Sequence, residues 1–200
     1  MSMDVAIIDA GGANFASIQA SLRRLQVRSL VTSDPEIIAN APKVILPGVG
    51  AAGYAMAQMQ NKGLCEVVKK LKQPVLGICL GHQLLCAYSN EDSVDCLGVI
   101  PLRVDKLMQA RITPHMGWND LEILKPDEPL LTGINLKDGF YFVHGFAATV
   151  NPAYTLATTT HGEVFSAIIK QDNFYGVQFH PEKSGASGAR LLKNFIELTD

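Results

Sequence analysis

A short apolar strand that turns sharply into a helix lies near the middle of the sequence. Residues 73–85 read Gln-Pro-Val-Leu-Gly-Ile-Cys-Leu-Gly-His-Gln-Leu-Leu. The run from Pro74 to Ile78 predicts a buried strand, and the residues from Gly81 onward predict a helix. Cys79 lies at the junction, in the pattern Gly77-x-Cys79-x-Gly81, a cysteine version of the nucleophile elbow. Glycines are expected on both sides because the backbone at such a turn leaves no room for a Cβ atom.

This turn is expected to place the sulfur of Cys79 at a helix N-terminus. There the helix dipole favours a thiolate, and the backbone N–H of Leu80 is free to bind an oxyanion. The alternative is a buried core cysteine, which is the commoner role of an isolated free cysteine. The flanking glycines make the two interpretations about equal, so a distant partner has to decide between them.

The candidate partner of Cys79 follows a second predicted strand, far downstream. Residues 174–179 alternate aromatic and small side chains, and His180-Pro-Glu182 follows directly, with the proline ending the strand. His180 can take the proton of the thiol, and Glu182 can orient the imidazole. A histidine beside a glutamate is common on protein surfaces. Together with the elbow, however, this motif indicates a Cys–His–Glu catalytic triad.

A third motif, Pro47-Gly-Val49-Gly50, follows a predicted strand at residues 43–46. Ligands of open parallel sheets bind at the carboxyl ends of the strands, so this motif is expected beside Cys79. Its glycines allow a peptide to turn a backbone N–H toward a developing oxyanion. Considered alone, an ordinary strand-to-helix turn is the better interpretation.

Composition favours a single α/β domain over residues 1–200, because 200 residues with 48% hydrophobic content fill one core. The net charge is −2, and without a basic stripe no nucleic-acid partner is expected. Residues 44–61 are uncharged, but proline and glycine interrupt them, so no membrane span is predicted. The N-terminus lacks signal-peptide features, and four cysteines without metal-ligand spacing favour a reducing cytoplasm. No metal or other cofactor is predicted.

Strands and helices alternate up to about residue 88, which predicts a doubly wound, mostly parallel sheet flanked by helices. Asn14 is the predicted N-cap of the first helix. Beyond Asn90, short strands and a hairpin at 171–173 predict antiparallel strands added at an edge. A helix over 185–198 is expected to close the domain. The later strands are predicted at residues 118–123, 140–143, 164–170 and 174–179.

Three motifs in combination resemble the triad family of class I glutamine amidotransferases. They are Pro-Gly-Val-Gly at 47–50, Gly-Ile-Cys-Leu-Gly-His-Gln at 77–83 and His-Pro-Glu at 180–182. Within that family, the chain is similar to the glutaminase subunits of imidazole glycerol phosphate synthases. This closer similarity depends on Pro-His-Met-Gly-Trp-Asn at 114–119, Tyr-Phe-Val-His at 141–144 and the segment 176–185. It extends from Ile7 to the C-terminal helix.

The resemblance implies hydrolysis of L-glutamine to glutamate and ammonia through a thioester on Cys79. The ammonia is expected to pass to a (β/α)₈-barrel cyclase partner in a heterodimer, forming imidazole glycerol phosphate and an aminoimidazole carboxamide ribotide in histidine biosynthesis. Backbone N–H groups of Val49 and Leu80 correspond to the oxyanion hole. The positions that match glutamine-binding residues are Gly50, Gln83, His144, Gly145 and Phe146. Those that match the partner interface are Asn14, Trp118, Tyr141 and Lys183.

Three departures from the family pattern affect partner affinity and fine tuning rather than the reaction class. The first loop reads Ala10-Gly-Gly-Ala-Asn14 in place of the more usual Tyr-Gly-Met-Gly-Asn. His82 stands where this subunit commonly has methionine, and is predicted to be a packed or solvent-facing helix residue rather than a second base. Gly145-Phe146 replaces Ser-Tyr, so substrate contacts there must come from the backbone. His115 and His161 are interpreted as structural.

Two other functions remain open at this point. A class I glutaminase can serve another synthase, of the anthranilate or carbamoyl-phosphate type, but segment 114–119 and Lys183-Ser-Gly185 argue against this. The chain can also be a catalytically silent assembly module, against which the intact Cys79, His180 and Glu182 argue. For Trp118, burial in the core and exposure at an interface are about equally favoured.

Overall fold

In the first half of the chain, strands and helices alternate as predicted. The second half contains more short strands than the sequence indicated. The structure is a computed structural model that describes residues 3–135 and 138–199. The described residues form the α-helices α1 (Phe15–Arg24), α2 (Pro35–Asn40), α3 (Ala52–Asn61), α4 (Leu64–Lys69), α5 (Leu80–Leu85) and α6 (Gly185–Glu197). Short 3-10 turns cover Pro129–Leu131 and Pro181–Lys183.

The strands divide into an N-terminal and a C-terminal group. The first group is β1 (Val5–Ile8), β2 (Ser29–Thr32), β3 (Lys43–Gly48) and β4 (Val75–Cys79). The second group is β5 (Tyr88–Ser89), β6 (Val94–Asp95), β7 (Arg103–Lys106), β8 (His115–Asn119), β9 (Glu122–Ile123), β10 (Phe140–His144), β11 (Phe146–Ala148), β12 (Thr155–His161), β13 (Glu163–Gln171) and β14 (Phe174–Val177).

The parallel part of the main sheet has the order β2-β1-β3-β4-β14. The inner strands β1, β3, β4 and β14 are almost entirely buried because both faces of the sheet are covered there, whereas the edge strand β2 is partly exposed. In β1, for example, Val5 and Ile7 pack with α1 and α6, whereas Ala6 and Ile8 face the core formed with α2 to α5. The predicted doubly wound α/β fold is therefore confirmed.

The position of β14 beside β4 is the feature of the sheet that matters most for the site. Val177 pairs with Ile78 in parallel register, so β4 and β14 end at the same edge of the sheet. Cys79 is the last residue of β4, and His180 follows the end of β14. Two segments far apart in the sequence therefore deliver their polar side chains to one place, as expected for the carboxyl edge of an open α/β sheet.

The C-terminal half extends the sheet with mostly antiparallel strands, as predicted. The turn at residues 171–173 joins β13 to β14 as a hairpin, with Asp172 at a left-handed φ of 51°. The prediction of one strand over residues 118–123 was wrong. β8 ends at Asn119, whose side-chain oxygen accepts a hydrogen bond from the N–H of Asp120, and β9 belongs to a different sheet. Strands β5, β6, β7, β11 and β12 were not predicted.

The predicted N-cap of α1 is present, since the Asn14 side chain accepts a hydrogen bond from the N–H of Ser17. α2 begins at Pro35, as its sequence indicates, with Asp34 accepting from the backbone N–H groups of Glu36 and Ile37. Among the described residues, no helix combines the length and apolar character needed to cross a membrane.

Candidate active site

The turn from β4 into α5 has the sharp geometry that the glycine pattern predicts. Cys79 adopts φ 53° and ψ −108°, an unusual conformation for a residue with a side chain. A Cβ atom on Gly81 would lie 1.7 Å from the carbonyl oxygen of Leu46, and one on Gly77 would lie 2.6 Å from the carbonyl oxygen of Gly81. Both glycines are therefore required by close backbone contacts, and the contacts hold Cys79 at the sheet edge.

His180 and Glu182 form a close pair beside Cys79. The 3-10 turn after His180 brings the carboxylate back to the ring, with 2.8 Å between Nδ1 of His180 and Oε1 of Glu182. Both side chains are buried, and the His180 backbone N–H donates to the carbonyl of Tyr141. The carboxylate therefore fixes the ring and its tautomer, leaving Nε2 as the free nitrogen.

Electrostatics favour a positively charged His180. Burial lowers the pKa of the imidazole, but the interactions with Cys79 and Glu182 outweigh burial and raise it to about 10. Nε2 of His180 is buried and makes no hydrogen bond of normal geometry within the described residues. Catalytic hydrogen bonds commonly tighten only when substrate binds, so Nε2 of His180 is left available to take up and return a proton during a reaction at Cys79.

The sulfur of Cys79 also contacts two groups that the sequence did not indicate. Sγ lies 3.8 Å from the carbonyl oxygen of Val143 and 3.9 Å from Nε2 of Gln178. Gln178 is fully buried and donates its amide N–H toward the sulfur, which stabilises negative charge there. The only signal for Gln178 in the sequence is an amide within an otherwise apolar strand segment.

One cavity brings together most of the predicted site residues. Cys79 and His180 line it, together with the seven predicted oxyanion-hole and glutamine-binding positions Val49, Gly50, Leu80, Gln83, His144, Gly145 and Phe146. As the first residue of α5, Leu80 has a backbone N–H that no helical hydrogen bond uses. The arrangement offers a nucleophile, a base and an oxyanion donor around one space.

Glu91 lines the same cavity and was missed by sequence reasoning. Its Oε2 atom accepts a hydrogen bond from the backbone N–H of Ala52, which opens α3, at 3.0 Å. Burial raises the pKa of Glu91, and the hydrogen bond from Ala52 opposes this rise. In the sequence nothing distinguishes Glu91 from the neighbouring Asp92, because only the fold turns one of them toward the cavity.

The predicted interface residues lie near one another and are not part of the lining of this cavity. Trp118 is 57% exposed, and its ring meets that of Tyr141 edge-on at 6.1 Å. The ammonium of Lys183 lies 5.6 Å from the centre of the Tyr141 ring. Asn14 caps α1, which packs against the 3-10 turn that carries Lys183. The interpretation of Trp118 as a core anchor is therefore wrong.

His82 lies inside the protein, behind the elbow. The side chain is fully buried, and neither ring nitrogen has a hydrogen-bond partner among the described residues. Burial lowers its pKa to about 4, and the nearby Gly176 backbone, which makes no hydrogen bond of normal geometry with the ring, only partly opposes this shift. Of the two structural interpretations, packing against the core is correct and exposure to solvent is wrong.

We expect His82→Met to stabilise the protein, and to do so more strongly in acid. Removing an unpaired buried polar group contributes about 1–3 kcal/mol at neutral pH. Between pH 6.5 and about 4 the unfolded chain binds a proton at His82 that the folded chain does not. The free energy of unfolding of the wild type therefore decreases as the pH is lowered through this window. At about pH 5 the variant should gain about 2 kcal/mol more.

Thermal unfolding at about pH 7.5 and about pH 5 measures this difference. Leu84→Met, on the same buried helix, is the matched control, because it removes no titratable group and its effect should be the same at both pH values. An equal effect of His82→Met at both pH values would show that the pKa of His82 is the same in the folded and the unfolded chain.

No group of three or more histidine, cysteine, aspartate or glutamate side chains able to hold a metal ion is found in residues 3–135 and 138–199. All four cysteines are free thiols. Burial raises the pKa of Cys86 and, to about 11, that of Cys96, so both are held as neutral thiols.

Comparison with solved structures finds the same fold in proteins of low sequence identity. A Thermoplasma acidophilum protein, whose crystal structure is described as that of a GMP synthase subunit, matches with a TM-score of 0.74 at 18% identity, covering 98% of this chain and 93% of that one. The structure of PurLQS from Thermotoga maritima matches with a TM-score of 0.72 at 16% identity, covering 98% of each chain. At these identities the likeness concerns the fold alone.

Comparison of sequences gives the family. Residues 6–198 match the model of the family described as Glutamine amidotransferase class-I. The protein named imidazole glycerol phosphate synthase subunit HisH of Buchnera aphidicola is 46% identical over 98% of this chain and 100% of its own length. The protein of the same name from Idiomarina loihiensis is 47% identical over 98% and 99%. The resemblance seen in the three motifs is thus confirmed, and the chain belongs to the class I glutamine amidotransferase family.

Proposed function

We propose that this protein is the glutaminase subunit of an imidazole glycerol phosphate synthase. It hydrolyses L-glutamine to L-glutamate and ammonia, and a cyclase partner uses the ammonia in histidine biosynthesis. The observation that carries the proposal is that Cys79, at a strained elbow, and His180, paired with Glu182, line one cavity. Full-length similarity to proteins of that name supports the choice of synthase.

Substrate binding is assigned from the chemistry of the cavity wall. Glutamine carries a cationic α-ammonium group, and Glu91 offers a carboxylate held in place by the N–H of Ala52. Gln83 is held between the carbonyl of Phe146 and the side chain of Gln178, at 2.8 Å and 3.0 Å. These anchored polar groups orient the substrate so that its side-chain amide carbon approaches Cys79.

The reaction follows the logic of an activated cysteine nucleophile. The thiolate of Cys79 attacks the amide carbon, and the carbonyl oxygen becomes an oxyanion held by the backbone N–H groups of Val49 and Leu80. The imidazolium of His180 gives its proton to the departing nitrogen, so ammonia leaves and a thioester remains. Water then attacks the thioester while His180 takes its proton, which releases glutamate and restores the thiolate. Glu182 stabilises the charged ring throughout.

The oxyanion hole gives the partner a means of control. Removing one donor from such a site slows the reaction on the order of 10²–10³-fold. Leu80 lies in a helix, but Val49 is 47% exposed on a loop next to Gly50, whose φ is 91°. Partner binding can therefore set the orientation of the Val49 backbone N–H in the oxyanion hole. The chain without its partner is expected to be nearly inactive.

The face that carries Trp118 is assigned to the (β/α)₈-barrel partner. In β8 the residues Met116 and Trp118 are 66% and 57% exposed, and alternate with more buried neighbours. Aromatic and methionine side chains of this kind are enriched in protein interfaces. Lys183 and Tyr141 add a cation and a second ring beside Trp118. A cytoplasmic location, proposed from the free thiols, suits this role.

Lys183→Ala is expected to weaken partner coupling without destabilising the fold. Lys183 is exposed, and its ammonium forms no ion pair among the described residues, so its loss should change the free energy of unfolding by less than about 0.5 kcal/mol. Complex affinity should fall about tenfold if the ammonium makes a charge-assisted contact in the interface. Titration calorimetry with the barrel protein measures this.

Lys70→Ala is the matched control, because Lys70 is also exposed but lies at the end of α4, near the residues that precede β4. Wild-type affinity together with wild-type glutaminase stimulation in Lys183→Ala would remove Lys183 from the interface.

The proposed function is tested by measuring glutamine hydrolysis by the purified chain alone, with the barrel cyclase, and with the barrel cyclase loaded with its ribonucleotide ligand. We expect low activity alone and strong stimulation in the complex. Absence of hydrolysis in the full complex contradicts the proposal and favours the assembly module. Stimulation by the synthase component of an anthranilate or carbamoyl-phosphate enzyme instead would assign the glutaminase to another acceptor.

A further inference from the structure

A chain of hydrogen bonds crosses the small sheet formed by β8 and β10. Nδ2 of Asn119 lies 3.3 Å from Nε2 of His115, and Nδ1 of His115 lies 3.2 Å from Nε2 of His144. Nδ1 of His144 in turn lies 2.8 Å from the carbonyl oxygen of Phe146. The proposed catalytic steps use neither Asn119 nor His115, and neither residue lines the glutamine cavity.

The direction of every link in this chain is determined by chemistry. A carbonyl oxygen can only accept, so Nδ1 of His144 carries the hydrogen. Burial lowers the pKa of His144 to about 3 and that of His115 to about 4, so each ring is neutral and has a single N–H. Nε2 of His144 therefore accepts from Nδ1 of His115, and Nε2 of His115 accepts from Asn119.

Two further contacts determine the orientation of the Asn119 amide. Its oxygen accepts from the backbone N–H of Asp120 at 2.9 Å, and its nitrogen also donates to the carbonyl of Thr160 at 2.9 Å. The amide therefore presents N–H, and not oxygen, to His115. The ring of His115 is clamped between His161 and Phe142, with centroid distances of 4.2 Å and 4.8 Å.

This chain of hydrogen bonds joins strand β8, which carries the exposed Trp118, to the wall of the glutamine cavity. At one end, Asn119 follows the exposed Trp118 in β8. At the other end, the Phe146 carbonyl also accepts from Nε2 of Gln83, and both residues line the cavity. Gln83 continues through Gln178 to the sulfur of Cys79. The hydrogen bonds thus form one connected network between an exposed strand and the nucleophile.

We propose that His115 and Asn119 are positioning residues for the glutamine pocket. By holding His144 in its Nδ1–H form, they hold the carbonyl of Phe146 in place for Gln83, and so fix the wall opposite Cys79. This inference rests on the proposed glutaminase function. The Phe146 carbonyl at Nδ1 and the N–H of His115 at Nε2 favour the same tautomer of His144, so the bonds from Asn119 and His115 reinforce the form in which His144 donates to Phe146.

The kinetic test compares variants in complex with the barrel protein. His115→Phe keeps an aromatic ring in the clamp but removes both hydrogen bonds, so the KM for glutamine should rise about tenfold while kcat changes less than about twofold. His115→Asn places an amide N–H near the position of Nδ1, so its KM should return most of the way from the His115→Phe value to the wild-type value. Asn119→Ala, which removes the link to His115 together with the hydrogen bonds to Thr160 and from Asp120, should raise KM in the same way.

His161→Phe is the matched control. It preserves the ring stacked on His115 and removes only the hydrogen bond from the His161 ring to the carbonyl of Ile112, in the loop outside the chain. Its KM should stay within about twofold of wild type. A wild-type KM in folded His115→Phe, or equal effects of His115→Phe and His161→Phe, overturns the proposal.

The second test needs neither a variant nor activity. Nitrogen-15 NMR of the ring nitrogens in the wild-type chain should find the hydrogen on Nδ1 in both His115 and His144. A hydrogen on Nε2 of His144 overturns the proposal, even if His115→Phe fails to fold. If the tautomers are as expected but the complex does not hydrolyse glutamine, the glutaminase assignment fails and the hydrogen-bond chain still stands.

Discussion

Cys79→Ala should abolish glutamine-dependent synthesis by the complex and leave ammonia-dependent synthesis intact. Removing the nucleophile eliminates the thioester route, for which a loss of at least about 10⁴-fold is expected. The partner's own chemistry needs only ammonia, which ammonium salts can supply. Parallel assays of the complex with glutamine and with an ammonium salt measure both activities. Loss of both would mean that Cys79 supports the complex structurally.

Cys86→Ala provides the matched control for this experiment. Cys86 is a fully buried cysteine at the end of the same helix, with its thiol directed at the carbonyl of His82. Burial raises the pKa of this thiol, so it is not a nucleophile. The Cys86→Ala complex should keep both activities. A glutamine-like alkylating reagent should modify Cys79 alone, and modification of Cys86 in folded protein would contradict this structure.

Gly81→Ala is expected to prevent folding, although it adds a single methyl group. The new Cβ would lie 1.7 Å from the carbonyl oxygen of Leu46, a backbone atom of β3 that cannot rotate away. Relief requires α5 to move off the sheet, so we expect destabilisation by more than about 4 kcal/mol. Soluble yield and thermal unfolding followed by circular dichroism measure the effect.

Gly12→Ala is the matched control for Gly81→Ala. A Cβ atom on Gly12 would meet no other described atom within 4 Å, so its melting temperature should stay close to that of wild type. A wild-type melting temperature for Gly81→Ala would show that β3 and α5 do not approach each other as closely as this structure has them.

Local sequence was sufficient for the elbow, because its requirements are local. The apolar run of β4 and the glycines around Cys79 express a steric demand that involves only neighbouring segments. The caps at Asn14 and Asp34 are predictable for the same reason, since each side chain bonds a backbone group two or three residues away. The parallel half of the fold followed from this kind of signal.

The short strands of the second half gave no such signal. β7 has four residues and β11 has three, too few for a period of two to stand out, and they exist because long-range partners pair with them. The break between β8 and β9 was missed because Asn119 bonds its neighbour's backbone, which interrupts a segment whose composition reads as one strand.

By itself, the sequence determined that Cys79 sits on a strained turn and that His180 carries Glu182 beside it. Only the tertiary structure decided that these meet, because parallel pairing of β4 with β14 depends on long-range register. The same holds for Glu91, Gln178 and the histidine chain from Asn119. The chemistry of a buried polar group depends on which distant atoms surround it, and no local pattern records them.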